Sequence, residues 1–116
     1  MREIEFRGYS KRIERWLYGF LIADNTIREF GIKGKGHEVL HIGQYTGLKD
    51  KNGTKIFEGD IIKINEQYTR VVRYSEVKAS FVTCDENQWI GYLKDYDEHP
   101  IRVIGNIYDN PELLKN

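Results

Sequence analysis

Cysteine is almost absent from this chain of 116 residues: Cys84 is the only one. An internal disulfide is therefore excluded, and the composition suits a reducing cytosol. Proline is scarce as well, with Pro100 and Pro111 both outside the middle strands expected below. No apolar run is long enough to span a bilayer, the longest being Trp16 to Ala23. The segment Met1-Arg2-Glu3-Ile4-Glu5-Phe6-Arg7 carries no apolar signal core. Net charge is absent too. Eighteen basic residues balance eighteen acidic ones, so no global field favours nucleic acid or a membrane surface.

Catalytic and cofactor motifs are also missing. There is no Gly-x-Ser-x-Gly, Cys-x-x-Cys or His-Glu-x-x-His pattern. Gly31-Ile32-Lys33-Gly34-Lys35-Gly36 resembles a phosphate loop only in its glycines. His37 and Glu38 follow where a Walker loop needs Lys and Ser or Thr, so a hairpin loop is expected. Asp50, Asn52 and Asp60 do not follow an EF-hand, since Thr54 and Ile61 stand where oxygen ligands belong; turn chemistry is expected of them. His37 and His41 share one face of a strand but lie about 13 Å apart, too far to hold one metal together. His99 stands beside Asp97 and Glu98 in what reads as a solvated acidic loop that also holds Asp95. Cys84 ends an apolar strand just before Asp85 and Glu86, a setting that raises a thiol pKa. The reading is of a non-enzyme with no catalytic residue, no metal and no cofactor.

What is present is β-sheet patterning. Hydrophobic residues make up 40% and charged residues 31%, which fits one globular domain spanning residues 1–116. The strongest signals lie between Ile42 and Ile64. Asp50-Lys51-Asn52-Gly53 is a turn, because Asn and Gly tolerate positive φ and an Asx side chain bonds the backbone locally. Glu58-Gly59-Asp60 is a second break, from which Ile61-Ile62-Lys63-Ile64 alternates as a strand. Further strands are expected over Arg2–Arg7, Trp16–Ile22, Thr26–Ile32, Glu38–Ile42, Gln67–Tyr74, Lys78–Cys84, Trp89–Leu93 and Ile101–Ile104. Gly8-Tyr9-Ser10 is expected to break the first of them. Lys94–His99 reads as a loop, and Asn110-Pro111 opens a short helical turn with Asn as its cap. The fold class is mainly β, a small SH3-like barrel or roll with extra N-terminal strands.

Tyr68, Arg70, Arg73 and Tyr74 are the candidate contact residues for nucleic acid or a partner. Interleaved aromatic and basic groups can stack bases, although tyrosine is also an ordinary strand residue. Strand edges are expected to be guarded by charge at Lys63, Arg70, Arg73 and Lys78. Residues 1–84 carry a net charge of +4 and residues 85–116 carry −4. Such complementary ends favour pairing of copies, or a tail folded back on its own basic half.

Three blocks resemble the YopX family. They are Arg2-Glu3-Ile4 with Phe6-Arg7; Gln44–Gly53 with Ile56-Phe57-Glu58-Gly59-Asp60-Ile61; and Val103-Ile104-Gly105-Asn106-Ile107-Tyr108-Asp109-Asn110-Pro111-Glu112-Leu113-Leu114. Gly8-Tyr9-Ser10 departs from the Ala-aromatic sequence usual after the opening Phe-Arg. The resemblance implies a small protein of bacteriophages and prophages of Gram-positive bacteria with an SH3-like, mostly β fold. It implies no activity. The expected role is a protein-interaction module in the host cytoplasm, with a phage or host protein or a second copy as partner. The alternative is a nucleic-acid-binding regulator.

Overall fold

The computed structural model describes residues 4–85, 88–96 and 99–114. It is mainly β, with two antiparallel sheets and two short 3-10 turns. The chain's internal contacts gather into two compact units, Met1–Gly47 and Leu48–Asn116. Among the described residues no helix is long and apolar enough to cross a membrane.

In the first unit five strands take the order β4-β3-β2-β1-β5. They are β1 (Phe6–Ser10), β2 (Arg15–Ala23), β3 (Thr26–Glu29), β4 (His37–Glu38) and β5 (Leu40–Lys49), whose last two residues lie in the second unit. Leu17, Ile27 and Val39 form the buried core, with Phe6, Leu21 and Ile42 packed against it. The aromatic run after Arg15 forms a strand because its β-branched and aromatic side chains suit a pleated surface. The Asp24-Asn25 turn returns it into β3, with Leu21 opposite Ile27.

Gly8 does not break the first strand. β1 runs through it, paired to Leu17 of β2. The glycine is there for close approach: a Cβ at Gly8 would sit 2.5 Å from Val39 Cγ2. The segment Glu38–Ile42 also differs from its expected single strand. Val39 interrupts it, and His41 takes a positive φ of 59°, so β4 and β5 are separate.

In the second unit β6 (Lys55–Phe57) lies next to the end of β5. A five-stranded sheet then takes the order β10-β9-β8-β7-β11. Its strands are β7 (Asp60–Ile64), β8 (Tyr68–Ser75), β9 (Ser80–Asp85), β10 (Gln88–Tyr92) and β11 (Ile101–Asn106). Successive hairpins, then a 3-10 turn at Leu93–Tyr96 before the last strand, are consistent with an SH3-like roll. The sheet is not closed between β10 and β11 among the described residues.

The core of this unit joins Ile56, Ile62, Ile64, Val72, Phe81, Leu93 and Ile101. The other face of the sheet is buried as well, through Ile61, Val71, Val82 and Cys84. Two buried faces explain the paired apolar residues Ile61-Ile62 and Val71-Val72, where a half-exposed strand would alternate. Leu93, expected at the end of a strand, instead opens the 3-10 turn and drops into the core at 1% exposure.

Candidate interaction surfaces

The acidic residues of the central stretch are turn chemistry. Asp50 is buried and accepts three backbone N–H bonds. Asn52 and Thr54 donate to its Oδ1 at 2.9 Å each, and Val103 donates to Oδ2 at 2.9 Å. One carboxylate thus closes the turn before β6 and ties it to β11. Gly53 stands within that turn at φ 83°. Asp60, 2% exposed, accepts the Phe57 N–H at 2.7 Å across the second break.

Among the described residues no three His, Cys, Asp or Glu side chains gather as a metal site. His37 and Glu38 line an open cleft of about 500 Å³ with Tyr9, Lys11 and Arg12, and His41 is not part of it. His99 Nδ1 lies 3.4 Å from Asn65 Nδ2, and its ring packs edge-on to Tyr96. Asp97 and Glu98 lie outside the described residues. Cys84 is buried, and that burial is what pushes its thiol up; Arg73 pulls weakly the other way. Of the two acids that follow it in sequence, Glu86 lies outside the described residues.

At the C-terminal turn, Asn110 does not cap in the expected way. Its side-chain oxygen turns back to accept the Asn106 N–H at 3.2 Å. Asn106 Oδ1 in turn accepts the N–H groups of Tyr108 and Asp109.

The four candidate contact residues all lie on β8, but strand alternation divides them. Tyr68, Arg70 and Tyr74 share the face that carries core residue Val72, while Arg73 points to the other face with Val71 and Cys84. Arg70 lies over the Tyr68 ring at 5.2 Å. Tyr74 meets Phe81 edge to face at 5.2 Å, so it frames the margin of the core. Lys63 donates to Thr69 Oγ1 at 3.1 Å. Both β7 and β8 are interior strands, and Lys78 sits in the turn after β8. The expected guarding of edges by Lys63, Arg70 and Arg73 is therefore incorrect: those strands have neighbours on both sides.

The terminal strand on one side is β10, and its residues are the ones the sequence reading passed over. Trp89 is 45% exposed and Ile90 39%. The register against β9 shifts between Trp89 and Gly91, which leaves Ile90 as the extra residue of a bulge. Trp89 meets Tyr92 edge to face at 5.8 Å. Lys78 Nζ stands 4.2 Å above the Trp89 ring and Lys94 Nζ 5.5 Å above that of Tyr92. An aromatic pair on a sheet edge, covered by two cations, is a partly protected edge. The available signal was the Trp89-Ile90-Gly91-Tyr92 run itself, apolar at consecutive positions with no polar alternation.

The two antiparallel sheets define a mainly β protein, consistent with an SH3-like roll. The chain belongs to the YopX family: the family profile described as "YopX protein" matches residues 5–115. A similar solved structure is the crystal structure of protein EF1440 from Enterococcus faecalis. It is 25% identical, with a TM-score of 0.65, and the match covers 99% of this chain and all of that one. No curated protein matches the sequence.

Proposed function

We propose that the protein is a non-enzymatic accessory protein of a bacteriophage or prophage that acts in the host cytoplasm by docking another protein. The phage setting rests on what the family implies, and a similar protein comes from a bacterium. The cytoplasmic setting rests on a single, buried thiol. One observation carries the docking role: the β10 edge, where Trp89 stands exposed beside Tyr92 under Lys78 and Lys94. Tryptophan is the residue type that most often dominates interface energy when a partner desolvates it. The partner is a phage or host protein, and a second copy of the chain is the first candidate to examine.

Nucleic acid through Tyr68, Arg70, Arg73 and Tyr74 has less to stand on, since the four do not share a face. The test is capture from infected-cell lysate, with and without nuclease, by the wild-type chain and by Trp89→Ala. Capture of a defined protein that survives nuclease and falls at least tenfold in Trp89→Ala supports the docking role. Capture equal in both chains, or lost on nuclease treatment, sinks it.

A further inference from the structure

Two cations of the second unit converge on Thr69. Lys63 of β7 lies opposite it and donates to its hydroxyl oxygen at 3.1 Å. Arg70 leaves β8 on the other face, yet its guanidinium folds back, and Nη1 donates to the Thr69 carbonyl at 2.9 Å. The ladder between β8 and β9 reaches only to Val71, opposite Cys84, so Tyr68, Thr69 and Arg70 run on past its end. Beside them lies a pocket of about 300 Å³ lined by Lys63, Thr69 and Arg70. Asp85, the last residue of β9, adds a carboxylate to it, and Leu113 and Leu114 of the final 3-10 turn add an apolar wall.

Among the described residues neither Lys63 nor Arg70 makes an ion pair. Glu66, in the turn between β7 and β8, is held by Arg102 and Lys51. Glu112 precedes the two leucines but does not line the pocket. Each cation spends a single hydrogen bond on Thr69, which leaves donors over on both. The Nε of Arg70 is shielded from solvent and has no hydrogen-bond partner among the described residues. With Nη1 on Thr69, Nε and Nη2 form the edge left over. Arg102 uses that same edge to grip Glu66, with Nε and Nη2 at 2.9 Å each. A carboxylate that draws the Arg70 guanidinium into the pocket gives Nε the acceptor it lacks.

We propose that this pocket binds a free apolar amino acid, with its carboxylate on Arg70 and Lys63, its ammonium toward Asp85 and its side chain against Leu113 and Leu114. Asp85 decides the class of ligand. Two cations against one carboxylate leave a single positive charge, which matches a carboxylate better than the near-double charge of a phosphate ester. Asp85 is exposed and makes no ion pair among the described residues, so it is left to take an ammonium. The pocket is at the small end of ligand sites, which suits one amino acid. Trp89, Tyr92, Lys78 and Lys94 do not line it, so the proposal stands or falls apart from docking at the β10 edge.

Isothermal titration calorimetry of the full chain with L-leucine, L-methionine and L-phenylalanine tests it. At least one of them binds. Its analogues without the ammonium or without the carboxylate (isocaproate and isoamylamine for leucine) bind roughly tenfold more weakly or worse, and inorganic phosphate does not compete. Arg70→Lys keeps the charge, loses the fork and lowers the affinity roughly tenfold. Asp85→Asn lowers the affinity for the amino acid but leaves that for the analogue without the ammonium unchanged. Thermal melts verify that both variants fold, and the exposed position of Asp85 keeps its variant decisive if Arg70→Lys does not. No binding by any of the three amino acids overturns the proposal. So does an analogue without the ammonium that binds as tightly as its parent, or phosphate that displaces the amino acid. A folded Arg70→Lys or Asp85→Asn that binds as the wild type does overturns it as well.

Discussion

Gly53 occupies a conformation that L side chains avoid, yet it has room around it. Its φ is 83°, and a Cβ built there meets nothing within 4 Å. The cost of Gly53→Val is therefore torsional alone, about 1–2 kcal/mol, and a thermal melt should show a lower midpoint. An unchanged midpoint would mean that the turn held by Asp50 is not strained by a side chain. Glu66 shows a different kind of residue-level control. Arg102 donates to it twice, at 2.9 Å each, and Lys51 at 3.4 Å. Those hydrogen bonds, Arg102's first, lower the Glu66 pKa to about 2. Its folded pKa thus lies below the unfolded value of about 4.3, so the ion pair adds stability above that value. This contribution fades as pH falls toward 2. Acid unfolding of Glu66→Gln should accordingly show a shallower pH dependence between about pH 5 and 2 than the wild type. Equal slopes would show that the exposed pair contributes nothing measurable, as many surface pairs do not.

At the scale of elements, the 3-10 turn at Leu93–Tyr96 is more than a connector. Leu93 fills the core of the second unit, and Tyr96 OH lies 3.3 Å from Thr83 Oγ1 on β9. Leu93→Ala should destabilise the chain by about 2–5 kcal/mol, read from chemical denaturation. A loss below 1 kcal/mol would place Leu93 outside the cooperative core. Most strands were legible from alternation and turn residues, as at Ile61–Ile64 and the Asp50–Gly53 turn. Four features were not. Gly8 reads as a break, because sequence does not reveal that Val39 presses against the backbone there. Leu93 reads as a strand residue, because a short apolar run does not distinguish the last turn of a strand from a 3-10 turn. The candidate site on β8 was legible as a composition of Tyr and Arg but not as a surface. Alternation alone sends Arg73 to the face opposite Arg70, and only the strand order shows that β8 is interior. The exposed edge at Trp89 depends on which strand ends the sheet, a nonlocal fact.

For the whole molecule, zero net charge leaves no long-range repulsion to keep copies apart. Pairing of copies is accordingly expected at low salt, and light scattering over a range of protein concentrations should give a mass above the monomer. A monomer mass at low and at physiological salt would remove self-association and leave a phage or host protein as the partner. Hydrogen exchange on the chain alone and with its captured partner tests whether the β10 edge is where a protein docks. Slowed exchange is expected, concentrated in Gln88–Tyr92. Protection elsewhere, with Gln88–Tyr92 exchanging as in the free chain, would contradict it.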